Sequence, residues 1–99
     1  MFHFIVNPVS RSGKGLRLWK RKIEPVLISR KILYDVEFSK EHGDVTKICS
    51  KISEKSSAEK NCTIVILGGD GTLNDAVQGI QNFETVMLAY IPTDRKSVV

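Results

Sequence analysis

The segment Thr63-Ile64-Val65-Ile66-Leu67-Gly68-Gly69-Asp70-Gly71-Thr72-Leu73-Asn74-Asp75-Ala76-Val77-Gln78-Gly79-Ile80 decides how this chain folds. Thr63 to Leu67 are β-branched or apolar without alternation, the pattern of a strand buried on both faces. Gly68-Gly69-Asp70-Gly71-Thr72 follows, after which Leu73, Ala76, Val77 and Ile80 recur at helical spacing. The order strand, glycine turn, helix sets Gly68, Gly69 and Gly71 between the carboxyl end of a buried strand and the amino end of a helix. Helix N–H groups without intrahelical partners, together with the helix dipole, favour an anion there. Glycine permits a positive φ and lets a ligand lie against the main chain. A phosphate-bearing ligand suits these features. The same letters also suit a plain turn whose Asp or Thr caps the next helix, and spacing alone leaves both readings open. Neither formal glycine fingerprint is met: the dinucleotide pattern needs Gly where Asn74 stands, and no Lys-Ser or Lys-Thr follows the last glycine.

Working outward, Phe2 to Val6 reads as a first strand running into the polar loop Asn7-Pro8-Val9-Ser10-Arg11-Ser12-Gly13-Lys14-Gly15. Pro8 disfavours helix at Asn7 and forces the chain to turn. Leu16, Trp19, Ile23 and Val26/Leu27 then mark a helix, with Pro25 expected to kink or end it unless a local bend intervenes. Its basic face reads as solvated surface. Ile32 to Phe38 reads as a second strand, and Ser39 opens the polar connection to a helix with Asp44 as N-cap and Val45, Ile48, Cys49 and Ile52 as buried stripe. Ser53 to Asn61 suits a fading helix end and a loop, and Val86 to Ile91 a fourth strand. The alternation predicts an α/β fold, a parallel sheet of about four strands with helices on both faces. Both glycine-containing loops follow strand ends and so face one sheet edge, where such sheets bind ligands.

With 99 residues the chain makes at most one domain, and its 41% apolar content fits a globular protein. No apolar run approaches the roughly 20 residues a membrane span needs, and the amino terminus lacks a secretory pattern, so a cytoplasmic location is expected. Cys49 and Cys62 lack metal spacing and read as reduced thiols, while His3 and His42 have no partner at ligand spacing. The net charge of +4 suits nucleotide phosphates, nucleic acid or an anionic membrane alike. A nucleic-acid site using Lys14, Arg17, Lys20 and Arg21 would lack interleaved aromatics beyond Trp19, so no nucleic-acid partner is expected.

Asn7-Pro8-x-Ser10 after the first strand, paired with Gly68-Gly69-Asp70-Gly71-Thr72-Leu73-Asn74-Asp75, resembles the diacylglycerol kinase catalytic domain family, most closely its bacterial lipid kinases. The resemblance runs from Phe4 to about Thr93 and includes Trp19 and Gly43-Asp44. The second motif alone is shared with NAD kinases, and the fold implied is the Rossmann-like amino-terminal domain of both groups. The resemblance implies ATP-dependent, Mg²⁺-assisted phosphorylation of a lipid hydroxyl, diacylglycerol or a related lipid, in phospholipid metabolism. The implied location is cytoplasmic and peripheral to the inner membrane surface, and pairing of full-length subunits is left open. By the resemblance, Asn7, Pro8, Val9, Ser10, Arg11, Ser12 and Gly13 border the ATP phosphates, with Arg11 where the family often has glycine. Ser39 matches a hydroxyl that helps hold nucleotide. Gly68, Gly69, Asp70, Gly71, Thr72, Leu73, Asn74 and Asp75 form the main nucleotide loop, with Asp70 near the metal and phosphates. An NAD kinase-like enzyme and a non-catalytic nucleotide-binding module are the alternatives.

After Tyr90-Ile91-Pro92-Thr93 the family continues into Gly-Thr or Gly-Ser and Asn-Asp, whereas this chain reads Asp94-Arg95-Lys96-Ser97-Val98-Val99. Those letters match a translated sequencing-adapter read-through, so residues 94–99 are expected to be a non-native tail on a truncated domain 1–93. In the family a carboxyl-terminal domain supplies the general base and lipid cleft. This chain alone is therefore expected to be inactive.

Overall fold

In the computed structural model, which describes residues 1–8, 13–41, 43–56 and 61–93, the chain forms one four-stranded sheet with helices on both sides. The elements in order are β1 (Phe2–Val6), α1 (Lys14–Leu18), a π-helical turn (Trp19–Ile23), α2 (Glu24–Ser29), β2 (Tyr34–Phe38), α3 (Asp44–Lys55), β3 (Cys62–Gly68), α4 (Asp70–Gly79) and β4 (Val86–Pro92). The sheet order is β2-β1-β3-β4 and every pairing is parallel, as the alternating pattern predicts. The connection leaving β1 runs to one side, to β2, and that leaving β3 runs to the other, to β4. The space between the carboxyl ends of β1 and β3 is therefore the topological switch point, where sheets of this kind open a crevice.

Two apolar layers explain the unbroken hydrophobic run of β3. Val65 and Leu67 join Phe4, Val6, Trp19 and Leu27 beneath α1, the π turn and α2. Ile64 and Ile66 join Ile5, Val45, Cys49, Ala76 and Ile80 beneath α3 and α4. Successive strand residues point to opposite faces, so only a strand covered on both sides needs apolar residues throughout. Phe4, Trp19 and Tyr34 form a ring cluster with centroid separations of 4.9 Å (Phe4–Trp19) and 5.5 Å (Trp19–Tyr34). Cys49 and Cys62 are buried free thiols in the α3–α4 layer.

Pro25 is accommodated by the π turn. The Glu24 N–H reaches back five residues to the Trp19 carbonyl, and Pro25 falls in the first turn of α2, where a missing N–H costs no intrahelical bond. The extra residue in that turn rotates the face that α2 presents to the sheet, so Leu27 is buried while Val26, assigned jointly to the stripe, is 49% exposed. Other expectations need adjustment. The second strand begins at Tyr34, because Lys31 takes a positive φ of 56° and the Ile32 N–H bonds the Leu27 carbonyl to close α2. β3 takes in Cys62 and Gly68, and β4 extends to Pro92.

Asp44 is the first residue of α3, not its N-cap. Gly43 holds the cap position at a φ of 91°, and the Asp44 carboxylate points backwards instead, accepting the Lys40 and Glu41 N–H groups at 2.8 Å each. Those bonds hold its carboxyl below the usual range.

Candidate functional site

The first residues beyond the strands continue the sheet's hydrogen bonding at its carboxyl edge. The Ser39 N–H bonds the Val6 carbonyl, that of Asn7 the Leu67 carbonyl, and that of Thr93 the Gly68 carbonyl, each at 3.0 Å. These bonds fix where the chain leaves the sheet. Thr93 is 1% exposed, and a Cβ placed on Gly15 would lie 3.5 Å from its side chain and 3.3 Å from the Asn7 carbonyl oxygen. The start of α1, the end of β1 and the end of β4 thus meet in close packing.

The glycine turn is extended rather than left-handed. Gly69 caps α4 at φ −92° and ψ −177°, and positive φ among the glycines occurs at Gly13 (86°) and Gly43. The expectation that the Gly68–Gly71 turn uses glycine's left-handed freedom is therefore corrected. Gly68 is needed for a different reason: a Cβ there would sit 2.7 Å from the Thr72 hydroxyl oxygen, and Thr72 is buried. The capping role offered for Asp70 or Thr72 is likewise not found, since α4 has no side-chain cap. Its helical bonding includes the Leu73 N–H to the Gly69 carbonyl, and the N–H groups of a first turn have no partner inside their own helix.

Beside this turn lies a cleft of about 520 Å³ whose walls include Ser39, Lys40, Glu41, Val45, Thr72 and Asp75. Asn7, Gly71 and Asn74 also reach it. Of the residues singled out in sequence, Asn7, Ser39, Gly71, Thr72, Asn74 and Asp75 thus share one cavity. Ser39 is buried, Asp75 is half-buried, and Gly71 and Asn74 are exposed. Leu73, on the same turn, is half-buried and does not face the cleft. Pro8, Gly13 and Gly69 lie half-buried around the edge, whereas Val9, Ser10, Arg11 and Ser12 fall outside the described residues, as do His42 and residues 94–99.

Asp70 is exposed and does not line the cleft. Its Oδ1 accepts the Tyr90 hydroxyl at 3.2 Å, across from α4 to β4. Sequence reasoning passed over Tyr90. Parallel pairing sets Tyr90 beside Ile66, near the end of β4, so the register of two strands carries the signal that no motif does. Lys40, Glu41 and Val45 were also missed, because only folding brings the β2–α3 connection against α4.

The two walls are held together below the cleft. The Thr46 hydroxyl of α3 donates to the Asp75 carbonyl of α4 at 2.8 Å, and Gly79 packs directly on the Thr46 main chain. A larger groove of about 850 Å³ runs along β2 and α3 between residues such as Asp35, Glu37, Lys51 and Lys55. It touches neither Asn7 nor the glycine turn. Inside it, burial lowers the His3 pKa against the opposing pull of Asp35, 3.8 Å away.

No group of three or more His, Cys, Asp or Glu side chains that could hold a metal occurs among the described residues. A hard ion such as Mg²⁺, which keeps several waters and takes one or two carboxylates along with a ligand's phosphates, needs no such group. No helix among the described residues is long and apolar enough to cross a membrane.

The profile of the diacylglycerol kinase catalytic domain matches residues 1–93. A Bacillus subtilis (strain 168) protein named "Putative lipid kinase YtlR" is 30% identical over 89 residues, covering 90% of this chain and 28% of that protein. A Staphylococcus aureus (strain JH9) protein, also named as a putative lipid kinase, is 35% identical over 49 residues, covering 50% of this chain and 16% of its own length. Among solved structures, "A putative diacylglycerol kinase from Bacillus anthracis str. Sterne" superposes with a TM-score of 0.71 at 28% identity, covering 93% of this chain and 32% of that one. The chain spans less than a third of the length of these proteins.

Proposed function

Since the chain belongs to the diacylglycerol kinase catalytic domain family, we propose that it is the nucleotide-binding part of an enzyme that phosphorylates a lipid hydroxyl from ATP. Diacylglycerol or a related lipid is the acceptor, met at the inner membrane surface. One observation carries this reading: the loops leaving β1 and β3 open at the same sheet edge, on neighbouring strands, at the switch point of the fold. Backbone N–H groups from the first turn of α4 lie at that edge with the positive end of the helix dipole, which is where phosphate binds best.

The charges sort the ligand's two ends. Among the described residues Glu41 and Asp75 line the cleft with Lys40 as the basic side chain, so these two carboxylates disfavour a triphosphate inside it. We assign the nucleoside to the cleft, where the carboxylates can accept from ribose hydroxyls and base N–H groups and the Ser39 hydroxyl can accept or donate. The phosphates then lie along the Gly69–Thr72 turn toward the loop after β1. Mg²⁺, when bound, would supply positive charge that offsets the repulsion between the phosphates and the incoming hydroxyl, and Asp70, at the head of α4, is the residue that would hold it. This chain's own residues orient the nucleotide and exclude part of the solvent. Phosphoryl transfer depends mostly on such positioning and electrostatics. No general base is assigned to a residue of this chain, so binding rather than turnover is the property first measured on it.

The test has two arms. ATP with Mg²⁺ is titrated into the chain, and into Gly69→Val as a variant whose side chain would stand where the phosphates pass; binding by the first and not the second is expected. A full-length protein carrying this domain is then assayed for transfer from ATP to diacylglycerol. Transfer to NAD alone would make it an NAD kinase, and no nucleotide binding by the folded chain would make it a scaffold.

A further inference from the structure

Three consecutive main-chain N–H groups fix the wall of the cleft formed by Ser39, Lys40 and Glu41. That of Ser39 is bound to the sheet through the Val6 carbonyl at 3.0 Å. Those of Lys40 and Glu41 both end on one oxygen, Oδ2 of Asp44, at 2.8 Å each, the short range of bonds to an ionised acceptor. The Asp44 N–H returns to the Glu41 carbonyl at 3.2 Å. Asp44 thus joins the wall through its main chain and its side chain alike. It is also the first residue of α3, a helix anchored in the core through Val45 and Cys49.

Yet Asp44 does not line the cleft that its loop encloses. It lines the neighbouring groove, which shares Lys40 with the cleft. A nucleoside seated in the cleft would meet Lys40, Glu41 and Val45, and never the Asp44 carboxylate. What the carboxylate governs is the shape of the wall. Lys40 and Glu41 are both exposed, so burial does not hold them in place. Without Oδ2, the N–H groups of these two residues lose their acceptor. The segment between sheet and helix then gains freedom that a bound ligand must remove.

We infer that Asp44 is a positioning residue for nucleotide binding: from behind the wall, its carboxylate holds Lys40 and Glu41 in the arrangement that receives the nucleoside. This role rests on the nucleotide reading of the cleft and extends it to a side chain outside the cleft.

The experiment titrates Mg·ATP into the chain as wild type, Asp44→Ala and Asp44→Asn, and follows amide exchange by NMR in the same samples. Asp44→Ala is expected to free the Lys40 and Glu41 amides and to leave those of β3 protected. It should bind ATP about five- to thirtyfold more weakly, the cost of re-ordering roughly one residue of backbone. Asparagine keeps an acceptor oxygen, so Asp44→Asn is expected to recover part of the protection and part of the affinity together. Unchanged affinity with those two amides freed would overturn the inference. So would weaker binding with both still protected. Weaker binding in both variants with protection lost in β3 would overturn it too, since the carboxylate would then serve the fold as a whole. Failure of the wild type to bind nucleotide at all would instead overturn the reading beneath it.

Discussion

Replacing Gly79 with alanine tests how closely α3 and α4 must approach to shape the cleft. A Cβ on Gly79 would collide with the Thr46 carbonyl oxygen and lie 3.0 Å from both the Thr46 carbonyl carbon and the Cys49 Cβ. Gly79 does not occupy the left-handed region, so alanine meets no conformational barrier of its own. The obstacle is steric and lies in main chain, which cannot swing aside as a flexible side chain would. Relief requires α3 to retreat on the order of 1 Å, since non-bonded carbons rest about 3.5–4.0 Å apart. Overpacking of this kind costs about 1–3 kcal/mol, and here the upper part of that range applies. Alanine's better helix propensity returns at most about 1 kcal/mol. The net is a loss of about 2 kcal/mol, or on the order of 10 °C in Tm for a domain of this size. Thermal and urea unfolding followed by Trp19 fluorescence measure it. A Gly79→Ala protein as stable as wild type, or more so, would refute the claim that the two helices are in main-chain contact. Because the Thr46–Asp75 bond joins the same pair of helices, nucleotide affinity should fall with stability.

Gly71 and Gly68 should respond differently to the same change. Nothing lies within 4 Å of a Cβ on Gly71, so Gly71→Ala is expected to gain up to about 1 kcal/mol in urea unfolding. Gly68→Ala must displace Thr72 and should lose both stability and nucleotide affinity, measured in the same titrations. Burial pushes the Cys49 thiol from 9.0 up to about 12 and raises that of Cys62 as well, so neither should react with iodoacetamide at pH 8 until the chain unfolds. For Cys49 the folded pKa is the higher one; its contribution is complete below pH 9 and is lost as pH rises toward 12. The unfolding free energy measured across that window should fall, by about 1.4 kcal/mol per pH unit once the unfolded thiol ionises. Asp44→Ala should speed amide exchange at Lys40 and Glu41, the two N–H groups its carboxylate holds, while amides in β3 stay protected. Lowering pH through the depressed Asp44 pKa should loosen the same loop, since the stabilisation exists only while the carboxylate is ionised.

What could be read from the letters was whatever short-range pattern determines. The continuous apolar run of β3 announced a strand covered on both faces, and the strand–turn–helix alternation announced a parallel sheet. From those two, the meeting of Asn7, Ser39 and the glycine turn at one edge follows by topology. Details governed by contacts distant in sequence were not legible. Asp44 looks like a forward cap because Asp at a helix start usually is one; only the path of the preceding loop turns its carboxylate back to Lys40 and Glu41. Pro25 signalled a disturbance, but nothing in its neighbours said that a widened turn would absorb it. Gly68 looked like conformational freedom and is instead room for Thr72. The Tyr90–Asp70 bond spans 20 residues and depends on strand order, which local spacing does not encode.

The three bonds from Ser39, Asn7 and Thr93 onto neighbouring strands have a thermodynamic corollary. They make the floor of the binding edge part of the same cooperative unit as the β-sheet, so it cannot loosen without partial melting of the core. A ligand arriving there finds that surface already ordered and forfeits little chain entropy on contact. Any adaptive movement on binding must then come from the segments above the floor, and the floor's amides should exchange only as the whole domain unfolds.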